Sequence, residues 1–92
     1  MKNGYLKEFV DGLYYGDERV FIYNNEKFFI QGYIDSGKLT LFLDRWEPAS
    51  YDYVWKMAGT DKNYPVKEFL KAKLFNGKTF YEVKKDIEWI DP

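Results

Sequence analysis

The chain is predicted to fold as an α+β domain, with an N-terminal helix, an antiparallel β-meander of three or four strands and two C-terminal helices. Three observations carry this expectation. Residues 19–46, RVFIYNNEKFFIQGYIDSGKLTLFLDRW, are rich in aromatic and branched side chains and are broken by Asn24-Asn25 and Ser36-Gly37, two tight-turn signals. Leu6, Phe9, Val10 and Leu13 recur at helical spacing ahead of Gly16. Thr79-Phe80-Tyr81-Glu82 has the spacing of a capping box, which opens a helix.

In chain order, residues 2–15 form an amphipathic helix with Lys7, Glu8 and Asp11 off its apolar stripe, ended by Gly16. Gly12 within it weakens the helix by roughly 1 kcal/mol relative to alanine. The hairpin at Asp35-Ser36-Gly37-Lys38 has glycine where a two-residue loop needs a positive φ, so Asp35 pairs with Lys38, Ile34 with Leu39, Gly32 with Leu41 and Ile30 with Leu43. Side chains alternate between the faces of a strand. Phe28, Ile30, Gly32, Ile34, Leu39, Leu41 and Leu43 therefore make a core face, while Phe29, Gln31, Tyr33, Thr40, Phe42, Asp44 and Trp46 make a second face that mixes aromatic and polar groups.

The first turn has two readings. A two-residue loop at Asn24-Asn25 pairs Phe21 with Phe28 and sends the rings of the first strand to the core. A three-residue loop through Glu26 pairs Val20 with Ile30 and sends Phe21 and Tyr23 to the aromatic face. The second is preferred because it keeps aliphatics with aliphatics and rings with rings, although the Asn-Asn pair favours the first.

Glu47-Pro48-Ala49-Ser50 is a break. Tyr51, Tyr53, Trp55 and Met57 then alternate with Asp52, Val54 and Lys56, which predicts a fourth strand with a nearly all-aromatic face; a short helix capped by Ser50 is the rival. After a polar loop, Pro65 starts a helix with Val66, Phe69, Leu70 and Leu74 inward, stopped by Asn76-Gly77. A second short helix runs from Phe80 to about Ile87 with Phe80, Val83 and Ile87 inward, and residues 88–92 are extended.

Ninety-two residues make one domain, 1–92. An aromatic content of 22% lets so short a chain with 32% charged residues bury enough apolar area to fold. Net charge is −1, but residues 1–61 carry seven basic and ten acidic side chains, 62–85 seven lysines against Glu68 and Glu82, and 86–92 three acids and no base. That lysine-rich stretch leaves polyanion binding open without favouring it. Without cysteine or histidine there is no disulfide, thiol, Cys/His zinc or histidine acid–base chemistry. No apolar run has the length of a membrane helix and Met1-Lys2-Asn3-Gly4 leads into no signal-peptide core, so no membrane partner and a cytoplasmic location are expected.

Gly77-Lys78-Thr79 matches the tail of a phosphate-binding loop, but Ala72 stands where the motif needs glycine and a helix precedes it where the motif needs a strand. A helix C-cap at Gly77 and an N-cap at Thr79 explain the same residues. Asp44, Glu47, Asp52 and Asp61 match no metal-loop or glycosidase spacing and read as solvated charge. Ser36 and Ser50 have no histidine partner and read as turn and cap residues. The expectation is no enzyme, no catalytic residue, no metal and no cofactor.

Phe69-Leu70, Phe75-Asn76-Gly77-Lys78-Thr79-Phe80, Glu82 and Glu88-Trp89-Ile90-Asp91 resemble the closing pattern of a set of small bacterial proteins from Gram-positive hosts. The resemblance spans residues 69–91, about a quarter of the chain, and implies no activity, cofactor or site.

The aromatic face is the feature with a functional reading. Tyr33, Phe42, Trp46, Tyr51, Tyr53 and Trp55 are the candidate binding residues; the plainer reading is that they lie beneath a helix of the same chain. Left open, they make a protein-binding surface, since Tyr and Trp bring large rigid contact area at low entropic cost. The expected function is a small interaction module that binds another protein, such as an inhibitor or accessory factor encoded by a mobile element. A single-stranded nucleic-acid binder that stacks bases beside the 62–85 lysines, and a structural homodimer, are the alternatives.

Overall fold

The computed structural model describes residues 1–60 and 62–90. The chain runs α1 (Leu6–Leu13), β1 (Arg19–Tyr23), β2 (Glu26–Asp35), β3 (Lys38–Glu47), β4 (Trp55–Ala58), α2 (Val66–Lys71), α3 (Phe80–Val83) with a 3-10 turn over Lys84–Asp86, and β5 (Glu88–Ile90). Among the described residues the strands form one antiparallel sheet in the order β4-β3-β2-β1-β5. The fold is α+β, as expected from the sequence, with a fifth strand, β5, where the sequence predicts only an extended tail. None of the described helices is long and apolar enough to cross a membrane.

Turn chemistry sets the meander. Ser36 and Gly37 take φ of +53° and +78°, and the pairs Asp35–Lys38, Ile34–Leu39, Gly32–Leu41 and Ile30–Leu43 all form as expected. Asn24 and Asn25 take φ of +53° and +63°, a conformation that asparagine tolerates better than most residues, so the first loop has two residues and Phe21 pairs with Phe28. The preferred three-residue loop is therefore wrong. Turn geometry outweighs the sorting of aliphatics from rings, because Phe21 and Tyr23 gain an aromatic core to enter.

That core lies wholly on one side of the sheet. Phe9 and Leu13 from α1, Val66, Phe69 and Leu70 from α2, and Phe80, Val83 and Ile87 from the α3 region pack in one cluster with Phe21, Phe28, Ile30, Leu39, Leu41 and Leu43. The segment from β4 to β5 thus crosses the covered face from one sheet edge to the other. The N-terminus closes the far edge: the Lys2 N–H donates to Ile87 O at 2.8 Å and the Trp89 N–H donates to Lys2 O at 2.9 Å. Gly16 ends α1 at φ +73° and docks it on the sheet, its carbonyl accepting the Gly32 N–H at 3.3 Å. A Cβ at Gly16 would meet Gly32 O at 2.9 Å, so the residue answers both to conformation and to close approach.

The second half departs from expectation in three places. Residues 51–54 are not in a strand, because Ser50 and Asp52 engage in local hydrogen bonds instead, and β4 begins only at Trp55. Helix α2 stops at Lys71, where Ala72 turns extended at ψ 137°. Asn76 and Gly77, at φ +56° and +79°, form a tight turn that bridges Phe75 and Lys78, so Gly77 is not a helix cap. The turn buries Phe75 to 1% exposure, which a continuing helix through Leu74 would not do in the same register. The capping box does form: the Glu82 N–H donates to Thr79 Oγ1 at 3.3 Å and the Thr79 N–H donates to Glu82 Oε1 at 2.9 Å.

Two measurements test these assignments. Phe21→Ala lowers unfolding free energy in urea by about 3–5 kcal/mol, whereas Ile22→Ala, on the uncovered face, lowers it by about 1 kcal/mol or less. Thr79→Ala costs about 1 kcal/mol through loss of the N-cap. The Thr79 backbone N–H and then its hydroxyl hold the Glu82 carboxyl below the ordinary range against an opposing effect of desolvation, and Lys73 and Lys78 add to the lowering. A lowered folded pKa stabilises above the unfolded pKa and fades as pH falls through the folded one. Acid titration of stability therefore shows an increment lost below the ordinary glutamate pKa, and Glu82→Gln lacks it.

Candidate functional site

With every helix on one side, strand alternation leaves the other side of the sheet without cover from the described helices. Across it lie Phe42 beside Gln31, Tyr33 beside Thr40, and Phe29 between Val20 and Asp44, with Ile22 and Ile90 toward the β1–β5 edge. Val20, flanked by Phe29 and Ile90, is only 2% exposed even here, so the face is densely packed by its own cross-strand neighbours.

A bulge in β3 completes the ring cluster. Phe28 opposes Arg45 and Lys27 opposes Glu47, which leaves Trp46 between them without a partner on β2; its bridge is to Ala49 instead. Trp46 and Glu47 both reach the open face: the Trp46 ring stacks on Phe29 at 4.6 Å and 17°, and the Glu47 carboxylate lies 3.9 Å from the Lys27 ammonium. Phe29 also meets Phe42 edge-on at 6.2 Å. Phe29 was absent from the candidate residues, and only its alternation with Phe28 signalled it.

The 50–53 loop supplies another ring. The Ser50 hydroxyl lies 3.1 Å from Asp44 Oδ1 and 2.7 Å from the Asp52 carbonyl, and the Tyr53 N–H donates to Asp52 Oδ1 at 2.7 Å. These bonds hold the loop against β3 with Tyr53 5.1 Å from Phe42, and the Lys56 ammonium sits 5.3 Å over the Tyr53 ring. Tyr33, Trp46 and Tyr53 remain 52%, 45% and 46% exposed.

Of the six candidates, Tyr33, Phe42, Trp46 and Tyr53 share this face. Tyr51 projects into solvent from the loop, fully exposed, because the strand that would have aligned it does not form. Trp55 is on the other side: it opposes Leu43 and packs 5.6 Å from Phe69, so it belongs to the core. Alternation over 51–57 fails because the chain is irregular before Trp55.

The carboxylates do not converge on a metal-ligating group among the described residues. Asp61 lies outside those residues. The 62–85 lysines go with the helical layer: Lys67 and Lys71 are on α2, Lys78 is in the 75–78 turn, and Lys84 and Lys85 are in the 3-10 turn. The aromatic face and the basic stretch are thus on opposite sides of the sheet.

Truncation separates the two kinds of ring. Trp55→Ala lowers stability by about 2–4 kcal/mol, and Tyr51→Ala changes it by less than about 0.5 kcal/mol, both read from urea midpoints. No family model, curated protein or solved structure matches the chain.

Proposed function

We propose that the chain is a small, non-catalytic protein-interaction module and that its uncovered aromatic face is the docking surface. The observation that carries this is the one-sided packing of the sheet, with large rings left about half in solvent on the bare side. Leaving three such rings exposed is unfavourable for a chain alone, and a partner that covers them regains that free energy. Trp46 and Tyr53 are backed by Phe29 and Phe42, so they are held in place before binding and lose little entropy on it. An inhibitor or accessory role fits a rigid face without reactive groups, and the same proposal assigns the protein to the cytoplasm on its composition.

The test uses the partner captured from the native host. Tyr33→Ala and Tyr53→Ala each weaken association by more than about 1 kcal/mol in calorimetry while leaving the melting temperature nearly unchanged. Unfolding by both substitutions, or full binding by both, overturns the assignment.

A further inference from the structure

We infer that the occupant of the aromatic face is a basic, partly apolar segment of another protein, with lysine or arginine side chains that meet the face's carboxylates and apolar side chains that lie on its rings. This rests on reading the face as a docking surface and adds the chemistry of what docks.

The charges on the bare side are lopsided. Lys27 lies 3.9 Å from Glu47, and Lys38 is directly opposite Asp35 on the neighbouring strand. Glu18, Asp44, Asp52 and Glu88 then have only Lys56 and Lys2, the bridge partner of Glu88, against them, and among the described residues no ion pair reaches any of the four. Glu18 accepts from Gln31 and Glu88 from Asn3, neutral partners that leave the charge in place. Asp44 and Asp52 line one hollow with Ser50, Tyr51 and Tyr53, beside the rings, while Glu18 and Glu88 lie along the β1–β5 side.

Three occupants meet this surface differently. A second copy would set the same excess of carboxylates against itself, and opposed like charges discriminate against such a contact. A nucleic acid would bring phosphates to carboxylates, while the lysines that would attract it stand on the helical layer. A basic segment is complementary in charge. It is also complementary to the rings: Lys56 already holds an ammonium over Tyr53, and Trp46, flat against Phe29 on one side and 45% exposed, offers a second platform for a cation or guanidinium. Asp44 on β3 and Glu88 on β5 are three strand spacings apart, about 14 Å. That is wide enough to seat one helix of about 10 Å diameter between the two groups of carboxylates.

The probes are a 14-residue peptide of leucine and lysine in helical pattern, the same peptide with glutamate for lysine, and a 12-nucleotide oligothymidine. Amide shifts of the isotope-labelled chain locate binding, and sedimentation of the chain alone reports self-association. The lysine peptide is expected to shift amides of β1–β3 and of the 50–53 loop and to bind more weakly as salt rises. Asp44→Lys and Glu18→Lys each weaken it about threefold or more, and Glu8→Lys, on the helical layer, does not. Equal binding of the glutamate peptide, binding of the oligonucleotide to these amides, or self-association through them overturns the basic partner and leaves the docking surface standing. If no probe shifts these amides, the inference falls, and the docking surface is judged separately by the Tyr33→Ala effect on the captured partner.

Discussion

Phe21 is where the molecule is tied together. Its ring lies 5.8 Å from Phe9 of α1, 5.3 Å from Phe28 of β2, 6.1 Å from Phe75 of the 75–78 turn and 6.0 Å from Phe80 of α3. Segments from both ends of the chain therefore meet at one side chain on a central strand. Offset and edge-on ring contacts add to plain burial, and they are directional, so they fix how the helical layer sits on the sheet. Position 21 faces inward because the Asn24-Asn25 turn has two residues; one more residue in that loop would turn Phe21 outward and leave α1 and α3 without a common anchor.

One-sided cover follows from how little helix the chain has. The helices α1, α2 and α3 span eight, six and four residues, and all their buried side chains go to a single cluster. The other face manages without a layer by packing within itself: Val20 is shielded by its neighbours, Trp46 lies flat on Phe29, and Lys56 caps Tyr53. Such a surface is held in place by its own contacts while its large rings stay about half exposed. The uneven charge along the chain becomes an asymmetry across the sheet, with the lysine-rich stretch on the helical layer and the carboxylate excess on the aromatic side.

Much of the central sheet was legible because turn chemistry and alternation agreed there. Asp35-Ser36-Gly37-Lys38 defined one hairpin, and alternation then assigned Tyr33, Phe42 and Trp46 to the outward face. The first hairpin was misjudged where two local rules conflicted and sorting by side-chain type was preferred to the turn. Tyr51, Tyr53 and Trp55 were grouped by a period of two that holds only within a strand, and hydrogen bonds from Ser50 and Asp52 keep the chain out of a strand until Trp55. Tyr53 reached the aromatic face through that loop, and Trp55 reached the core by pairing with Leu43.

The sequence by itself determined the features set within a few residues: the Ser36-Gly37 turn, the alternation of β2 and β3, the apolar stripe of α1 and the capping box at Thr79. Dihedral sterics and short-range hydrogen bonds decide these, and the residues that decide them are neighbours in the chain. Only the tertiary structure decided that Glu88–Ile90 pairs with β1, that α2 ends at Lys71 so that Phe75 can enter the core, and that every helix packs on the same side. Each of those outcomes is a competition for burial between segments tens of residues apart, and no local window of sequence contains both competitors.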